Sequence, residues 1–400
     1  KFITVTNMKL SNMEVIRLGN ERVLTARLSD AQYFFREDRK VTLAERVEKL
    51  KSITFHQNLG SLHHKVMRLQ KLAPWIAEVV GHSNIKGACE RAASLSKSDL
   101  TTGLVGEFPT LQGVMGREYA KHDGESLDVG QALGELYLPN TPEGDLPHSQ
   151  VGTIVGLGDR VDTLVAFFSV GLVPSGSEDP FALRRIGYGV VRILVEKGLQ
   201  VNVVELLTQA EHILRSQNIT PSLTTAAVSS LVEFLLERLR YFVKTVHHVR
   251  DDMIDAILTA CPPESCNLGD MVTRMKALQC GATQPEFAPL IMGYKRAHRI
   301  IEKEQWQKQH VRPELFEHEA ETHLHRAVCE VQPKMASLMA QQNHGAALTE
   351  LLALKRPIDN FFDGVMVNAS DQRIRGNRLS LLATVDQLFL TVADFSCLQG

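Results

Sequence analysis

The chain reads as mainly α-helical, on three observations. Apolar residues recur at helical spacing at Leu62, Val66, Leu69, Ile76 and Val80, at Leu183, Ile186, Val190 and Leu194, and at Ile374, Leu382, Val385, Phe389 and Val392. An unbroken helical pattern runs from Gly152 to Phe168. Helix-start signals stand where stripes begin: Asp179 and Pro180 before Leu183, and the turn and cap Asn368-Ala-Ser-Asp371 before Ile374.

Taken in order, Phe2-Ile-Thr-Val-Thr6 reads as a short strand, and Arg27 to Leu50 as a charged helix containing Tyr33-Phe-Phe35. Pro74 is expected to kink or split the stripe that starts at Leu62. Asn140-Thr-Pro-Glu-Gly-Asp-Leu-Pro147 is a loop by its Pro and Gly content. Asp179 is expected to cap a helix whose first position is Pro180 and whose apolar pattern starts at Phe181. On that helix Arg185, Tyr188 and Arg192 fall at i, i+3 and i+7 on a face apart from the core, where two cations flanking a ring suit phosphate and base contacts. A solvated arginine face with one amphipathic tyrosine is the other reading. Further amphipathic helices follow Glu196-Lys-Gly-Leu199, a turn at Cys261-Pro-Pro-Glu-Ser-Cys266 marks a break, and a second bundle starts at Phe287. A short extended segment and turn is expected at Phe361–Asp371.

Four hundred residues exceed one ordinary core, so two or three domains are expected. A 44% hydrophobic and 22% charged composition is that of a globular protein, and no apolar run is long enough to span a bilayer. The net charge of −2 excludes a uniformly basic nucleic-acid binder, so any RNA site must be a local patch. The chain opens at Lys1 with no initiator Met and no signal-peptide pattern, and is expected to be a fragment. Six scattered cysteines suit free thiols in a reducing compartment. The spacing of Cys261 and Cys266 is unlike a zinc knuckle, and His310, His318, His323 and His325 lie in a Glu-rich polar stretch that reads as a solvated face or loop. No metal site is assigned.

Asp179-Pro-Phe-Ala-Leu-Arg-Arg185 resembles a block in the β subunit of bacterial-type, two-subunit glycyl-tRNA synthetases. Gly19-Asn-Glu21 with Ala26-Arg-Leu-Ser-Asp-Ala31, Leu95-Ser-Lys-Ser-Asp-Leu100, Gly106-Glu-Phe-Pro-Thr-Leu-Gln-Gly-Val-Met-Gly116, His122-Asp-Gly124, Gly158-Asp-Arg-Val-Asp162, and Phe361-Phe-Asp-Gly-Val-Met-Val367 with Asn377-Arg-Leu379 are similar to the same family in the same order. The resemblance implies the end of a preceding domain and a connecting helix at 1–50, a degenerate HD-type helical domain at 51–200, a helical linker at 201–280 and a DALR-type anticodon-binding bundle at 281–400.

In active HD domains an isolated His, a His-Asp pair and a distant Asp hold metal for phosphoester hydrolysis. Here Ser98-Asp99 stands in place of the pair and Leu62 in place of the leading His, with His63 and His64 facing other directions. Asp99 and Asp159 survive as oxygen ligands that could hold Mg²⁺ weakly. A metal-dependent phosphohydrolase of this superfamily is therefore the alternative function, and a scaffold that binds only proteins is a third.

The tRNA-binding candidates are Arg184, Arg185, Tyr188 and Arg192, then Tyr294, Lys295, Arg296 and Arg299, then Arg373, Arg375 and Arg378. The last three crowd a helix start, where the dipole opposes cations and a phosphate partner would offset that repulsion. No phosphate-cradling loop or nucleotide fingerprint is present, and no catalytic residue is assigned. The resemblance implies that ATP and Mg²⁺ serve the complete enzyme at a catalytic core in an α subunit or fused α-like region. It also implies glycine tRNA as partner, an α2β2 or fused homodimeric assembly, and a bacterial cytoplasmic or organellar location.

Overall fold

The computed structural model describes residues 2–7, 12–217, 225–262 and 266–399. Helices carry nearly all the regular structure. The one sheet among the described residues is an antiparallel ribbon of β1 (Thr54–His56) and β2 (Gly60–Ser61), with Thr54 opposite Ser61 and His56 opposite Gly60. The chain divides into two compact units, 1–178 with 209–223, and 179–208 with 224–400.

The first unit holds α1 (Met13–Asp38), α2 (Leu43–Arg46), α3 (Leu62–Val79), α4 (Lys86–Leu95), α5 (Gly103–Glu107), α6 (Val114–His122), α7 (Leu127–Glu135) and α8 (Gln150–Ser169). Helix α8 is buried along almost its whole length, because α3, α4 and α7 pack around it. Asp38 closes α1 and opens α5, accepting hydrogen bonds from Gly103 N (2.8 Å), Leu104 N (2.9 Å) and the Tyr119 hydroxyl (3.1 Å). At the start of α8, Ser149 caps Gly152 N at 2.9 Å, while Glu135 accepts from the Ser149 amide (3.0 Å) and hydroxyl (2.6 Å).

The second unit holds α9 (Leu183–Glu196), the first residues of α10 (Val203–Arg215), α11 (Thr225–His247), α12 (Asp251–Ala260), α13 (Leu268–Gly281), α14 (Phe287–Glu304), α15 (Glu319–Ala340), α16 (His344–Leu352), α17 (Lys355–Gly364) and α18 (Gln372–Leu390). Helix α9 packs on α11 and α13, α14 on α18, and α15 on α16 and α17.

Several local expectations are corrected. Phe2–Thr6 is not a strand: none of these residues takes up regular structure, and Ile3 and Val5 are exposed rather than buried against a sheet. The helix expected from Arg27 starts earlier, at Met13, and ends at Asp38. A Thr42–Glu45 capping box starts α2, and 3₁₀ turns carry the chain on to Ser52. Pro74 neither splits nor ends α3, whose burial against α4 and α8 outweighs the missing backbone hydrogen bond. Pro180 precedes its helix rather than starting it. Ala182 adopts a left-handed conformation (φ 54°), and Asp179 reaches forward to the amides of Leu183 (2.7 Å) and Arg184 (2.9 Å), so α9 opens at Leu183. Phe361–Gly364 is still helical, and only the residues after it leave the helix. The turn expected at Cys261–Cys266 lies partly outside the described residues, which omit 263–265.

A side chain at position 152 would meet the Glu135–Ser149 cap head on, with its Cβ 2.7 Å from Ser149 Oγ and nearer still to a Glu135 carboxylate oxygen. Gly152→Ala is expected to lower stability by about 1–3 kcal/mol through overpacking. Urea unfolding followed by circular dichroism measures this.

Candidate nucleic-acid interface

Helix α14 has two faces of opposite character. Tyr294 points inward and is 0% exposed. Its ring stacks on Phe389 at 4.8 Å between centroids, and its hydroxyl lies 3.4 Å from His298 Nδ1, which in turn meets Asp386 at 2.8 Å. Burial, then the charges of Asp386 and Asp394, push its phenol above the ordinary range. Tyr294 is thus a core residue and not the exposed aromatic partner expected beside the cations. Outward, Lys295, Arg296, Arg299 and Lys303 line a shallow groove with Met292 and Ile300. Lys295 donates to the Leu398 carbonyl, and the Arg296 guanidinium lies 4.3 Å from the Phe362 ring centroid. Among the described residues Arg296, Arg299 and Lys303 hold no ion pair. Lys303, missed from the sequence, is legible in hindsight as the continuation of Arg296 and Arg299 at helical spacing.

On α9 the expected exposed trio is broken up. Arg185 is exposed and makes no ion pair among the described residues. Tyr188 is buried, edge-on to Tyr241 (5.7 Å) and Phe242 (6.1 Å) of α11, because α9 is packed on two sides rather than one. Arg192 is paired along its own helix with Glu196 at 2.6 Å, and Arg184 is half-buried.

The three arginines of α18 differ as sharply. Arg373 is 76% exposed and meets Asp371 at 3.1 Å, and Arg375 pairs with Glu304. Arg378 is buried. Its Nε donates to Glu321 at 2.9 Å, and Nη2 donates to Glu317 at 3.1 Å and to Glu321 at 3.3 Å. Nη1 donates to the Met366 carbonyl at 3.0 Å. Glu321 is 0% exposed. Burial pushes its carboxyl up, but hydrogen bonds from Arg378 and from the amides of Glu317 and His318 overcome this and hold it below the usual range. Arg378 is therefore a structural cation with no face left for RNA, and the expectation of a solvated or phosphate-seeking side chain is corrected there.

In the first unit, the two carboxylates expected to survive as metal ligands sit in a buried network of charge. Asp159 is held by Lys97 Nζ at 3.0 Å and Lys65 Nζ at 3.2 Å. Lys65 also donates to Asp162 at 3.0 Å, and Arg68 Nε meets the other Asp162 oxygen at 2.6 Å. Burial opposes ionisation of Asp159, yet Lys65 and Lys97 hold its carboxyl well below the ordinary range. Lys97 takes a left-handed backbone (φ 64°), and its ammonium lies 4.2 Å from the Tyr137 ring centroid. Asp99 accepts from Gly113 N at 2.6 Å, and burial pushes its carboxyl up. His64 is spent on the start of α3, accepting from Ser61 N at 3.1 Å. A divalent cation at Asp159 would have to displace two ammonium groups, so the donor set does not fit a metal.

Comparison with known proteins places these elements in one family. Residues 1–259 match the glycyl-tRNA synthetase beta subunit family, and residues 290–394 match the DALR anticodon binding domain. The chain belongs to the glycyl-tRNA synthetase β-subunit family. It is 39% identical over 395 residues to the glycine–tRNA ligase beta subunit of Syntrophus aciditrophicus (strain SB), covering 99% of this chain and 56% of that protein. It is 40% identical over 399 residues to that of Trichlorobacter lovleyi, covering 100% of this chain and 57% of the relative. The chain thus spans little more than half the length of these relatives. The DALR match runs from the first turn of α14 past the end of α18, so the basic groove of α14 and the arginines of α18 fall within it.

Two outcomes are expected. Arg378→Ala should cost about 3–5 kcal/mol at neutral pH, because it strands a buried carboxylate. Since the folded Glu321 pKa is depressed, the pair's contribution is complete above the ordinary value of 4.5 and lost as pH falls through the folded value. The gap between variant and parent should therefore narrow in acid, as urea titrations at stepped pH will show. Thermal unfolding midpoints should be equal in EDTA and in excess Mn²⁺. A rise with Mn²⁺ that Asp159→Asn abolishes would restore a metal-binding role.

Proposed function

We propose that this chain is the tRNA-holding part of a glycyl-tRNA synthetase β subunit, or the β region of an α–β fusion. The observation that carries this reading is the row of cations on α14 that no carboxylate among the described residues neutralises, in the segment that matches an anticodon-binding domain. In a protein of net charge −2, cations left without ion-pair partners along one helix face form a local anion-seeking patch. The names of the relatives supply the amino acid and the reaction class.

In this reading residues 281–400 grip the anticodon end of glycine tRNA, 201–280 form a helical linker, and 51–200 are a degenerate HD-like domain that supports the tRNA body. ATP, Mg²⁺ and the reacting groups belong to the complete enzyme, at a site in the α subunit or α-like region. This chain contributes orientation, presenting the 3′ end to that remote site. The assembly is α2β2 or a fused homodimer, in bacterial cytoplasm or an organelle. Arg185, Lys295, Arg296, Arg299 and Arg373 are the contacts retained from the sequence, with Lys303 added. The phosphohydrolase alternative is disfavoured by the ammonium groups on Asp159.

Arg299→Ala with Lys303→Ala is expected to weaken glycine tRNA binding and to reduce the slope of log affinity against log salt by roughly one per lost phosphate contact. Folding should be unchanged, since neither side chain holds an ion pair among the described residues. An unchanged slope in filter-binding titrations would show that this face does not meet RNA.

A further inference from the structure

The segment leaving α14 and the first turns of α18 line an open pocket of about 200 Å³. Trp306 forms one wall. Its indole N–H donates to Ser380 Oγ at 3.1 Å, the Ser380 hydroxyl donates to the Gly376 carbonyl at 2.9 Å, and the Trp306 amide donates to the Ile301 carbonyl at 3.1 Å. The Ser380 contact holds the ring against α18. The ring lies where residue 376 has no side chain, and a Cβ there would stand 3.1 Å from it. Opposite, Asn377 locks the strand of chain at Arg312 by a reciprocal pair, accepting from Arg312 N at 2.7 Å and donating to Arg312 O at 2.9 Å. The backbone of the pocket is thus pinned at both ends, while the side chains of Gln309, His310, Arg312, Gln372 and Arg373 stay exposed around its mouth.

Among the described residues no carboxylate lines this pocket. Arg373 does meet Asp371, but Arg373 is largely solvated and Asp371 partly so, so that pair is weak and exchangeable. An indole lining the pocket suits a planar π-system. The Gln309 amide offers both donor and acceptor to its edge, and Gln372, whose oxygen accepts from Arg375 at 3.5 Å, adds donors. Two guanidiniums select an anion attached to it. Those three demands are met together by a nucleotide whose base has left its stack.

We propose that this pocket receives one unstacked base of single-stranded RNA, stacked on Trp306, with the adjoining phosphate held by Arg312 and Arg373. The proposal rests on the reading that the chain binds tRNA, and adds where one base is held and by what. The α14 groove would then supply charge along the backbone, and this pocket the base contact.

The test uses the complete β-containing enzyme and glycine tRNA carrying 2-aminopurine at one anticodon-loop position at a time. One position is expected to change fluorescence on binding. In Trp306→Leu that change should vanish and affinity fall by about ten-fold, with the salt slope unaltered because no phosphate contact is lost. Arg312→Ala with Arg373→Ala should instead lower the slope and keep the fluorescence change at saturating protein. If Trp306→Leu melts like the parent and binds with unchanged affinity and fluorescence, the proposal is overturned. If Trp306→Leu is unstable, the arginine pair decides, since both side chains are exposed, and an unchanged slope overturns it. Tight tRNA binding with no responding position sinks the pocket alone, whereas a parent enzyme that fails to bind tRNA sinks the functional reading as well.

Discussion

The second unit depends on a guanidinium buried against carboxylates. Arg378, in the first turns of α18, meets Glu321 at the start of α15 and the carbonyl of Met366 in the segment after α17, so three pieces of chain converge on one side chain. Burying such a pair is costly unless every donor and acceptor finds a partner. Here Glu321 also accepts from the amides of Glu317 and His318, both at 2.9 Å. With Arg378 fixed, its neighbours Gly376 and Asn377 are fixed too. Gly376 backs the Trp306 ring and Asn377 pins the chain at Arg312, and the arginine three residues before Gly376 is turned outward at the mouth of the pocket.

The first unit uses the same rule with lysines. Lys65 on α3 and Lys97 in the turn after α4 both reach Asp159 on α8, and Arg68 with Lys65 neutralises Asp162 one turn further along. Holding Lys97 in a left-handed backbone costs about 1–3 kcal/mol, and such strain persists only where the surroundings over-determine it. Asp159 and the Tyr137 ring supply that constraint. Ammonium groups thus do from inside the chain what a bound cation does elsewhere, linking helices through shared carboxylates.

Helices were legible in the sequence because burial imprints a period on apolar residues, and the patterns at Leu62, Gly152, Leu183 and Ile374 each fall on a helix. The ordered blocks made the family legible. What could not be read was which cations face water. Arg296 and Arg378 both sit on helices, and contacts far along the chain, to Glu321 and Glu317, 57 and 61 residues from Arg378, bury one of them. The Gly158–Asp162 block concealed its role for the same reason, since Lys65 and Lys97 lie 94 and 62 residues away from Asp159. Tyr188 and Tyr294 were misjudged because a tyrosine beside arginines looks the same whether its ring turns to solvent or to a second packed helix. At Asp179 the cap was legible, but the left-handed Ala182 that delays the helix was not.

Helix α14 shows what this division implies for sequence drift. On its inner side the stacked Tyr294 and the His298–Asp386 contact demand a particular shape, so few replacements there keep the bundle closed. On its outer side Arg299 and Lys303 hold no ion pair among the described residues, so in the proposed reading lysine and arginine can trade places, or shift by one turn, while the groove stays positive. Homologues should therefore vary in the letters of that face and agree in its sign, so a position-by-position reading of identity will miss the surface that the summed charge of the helix reveals.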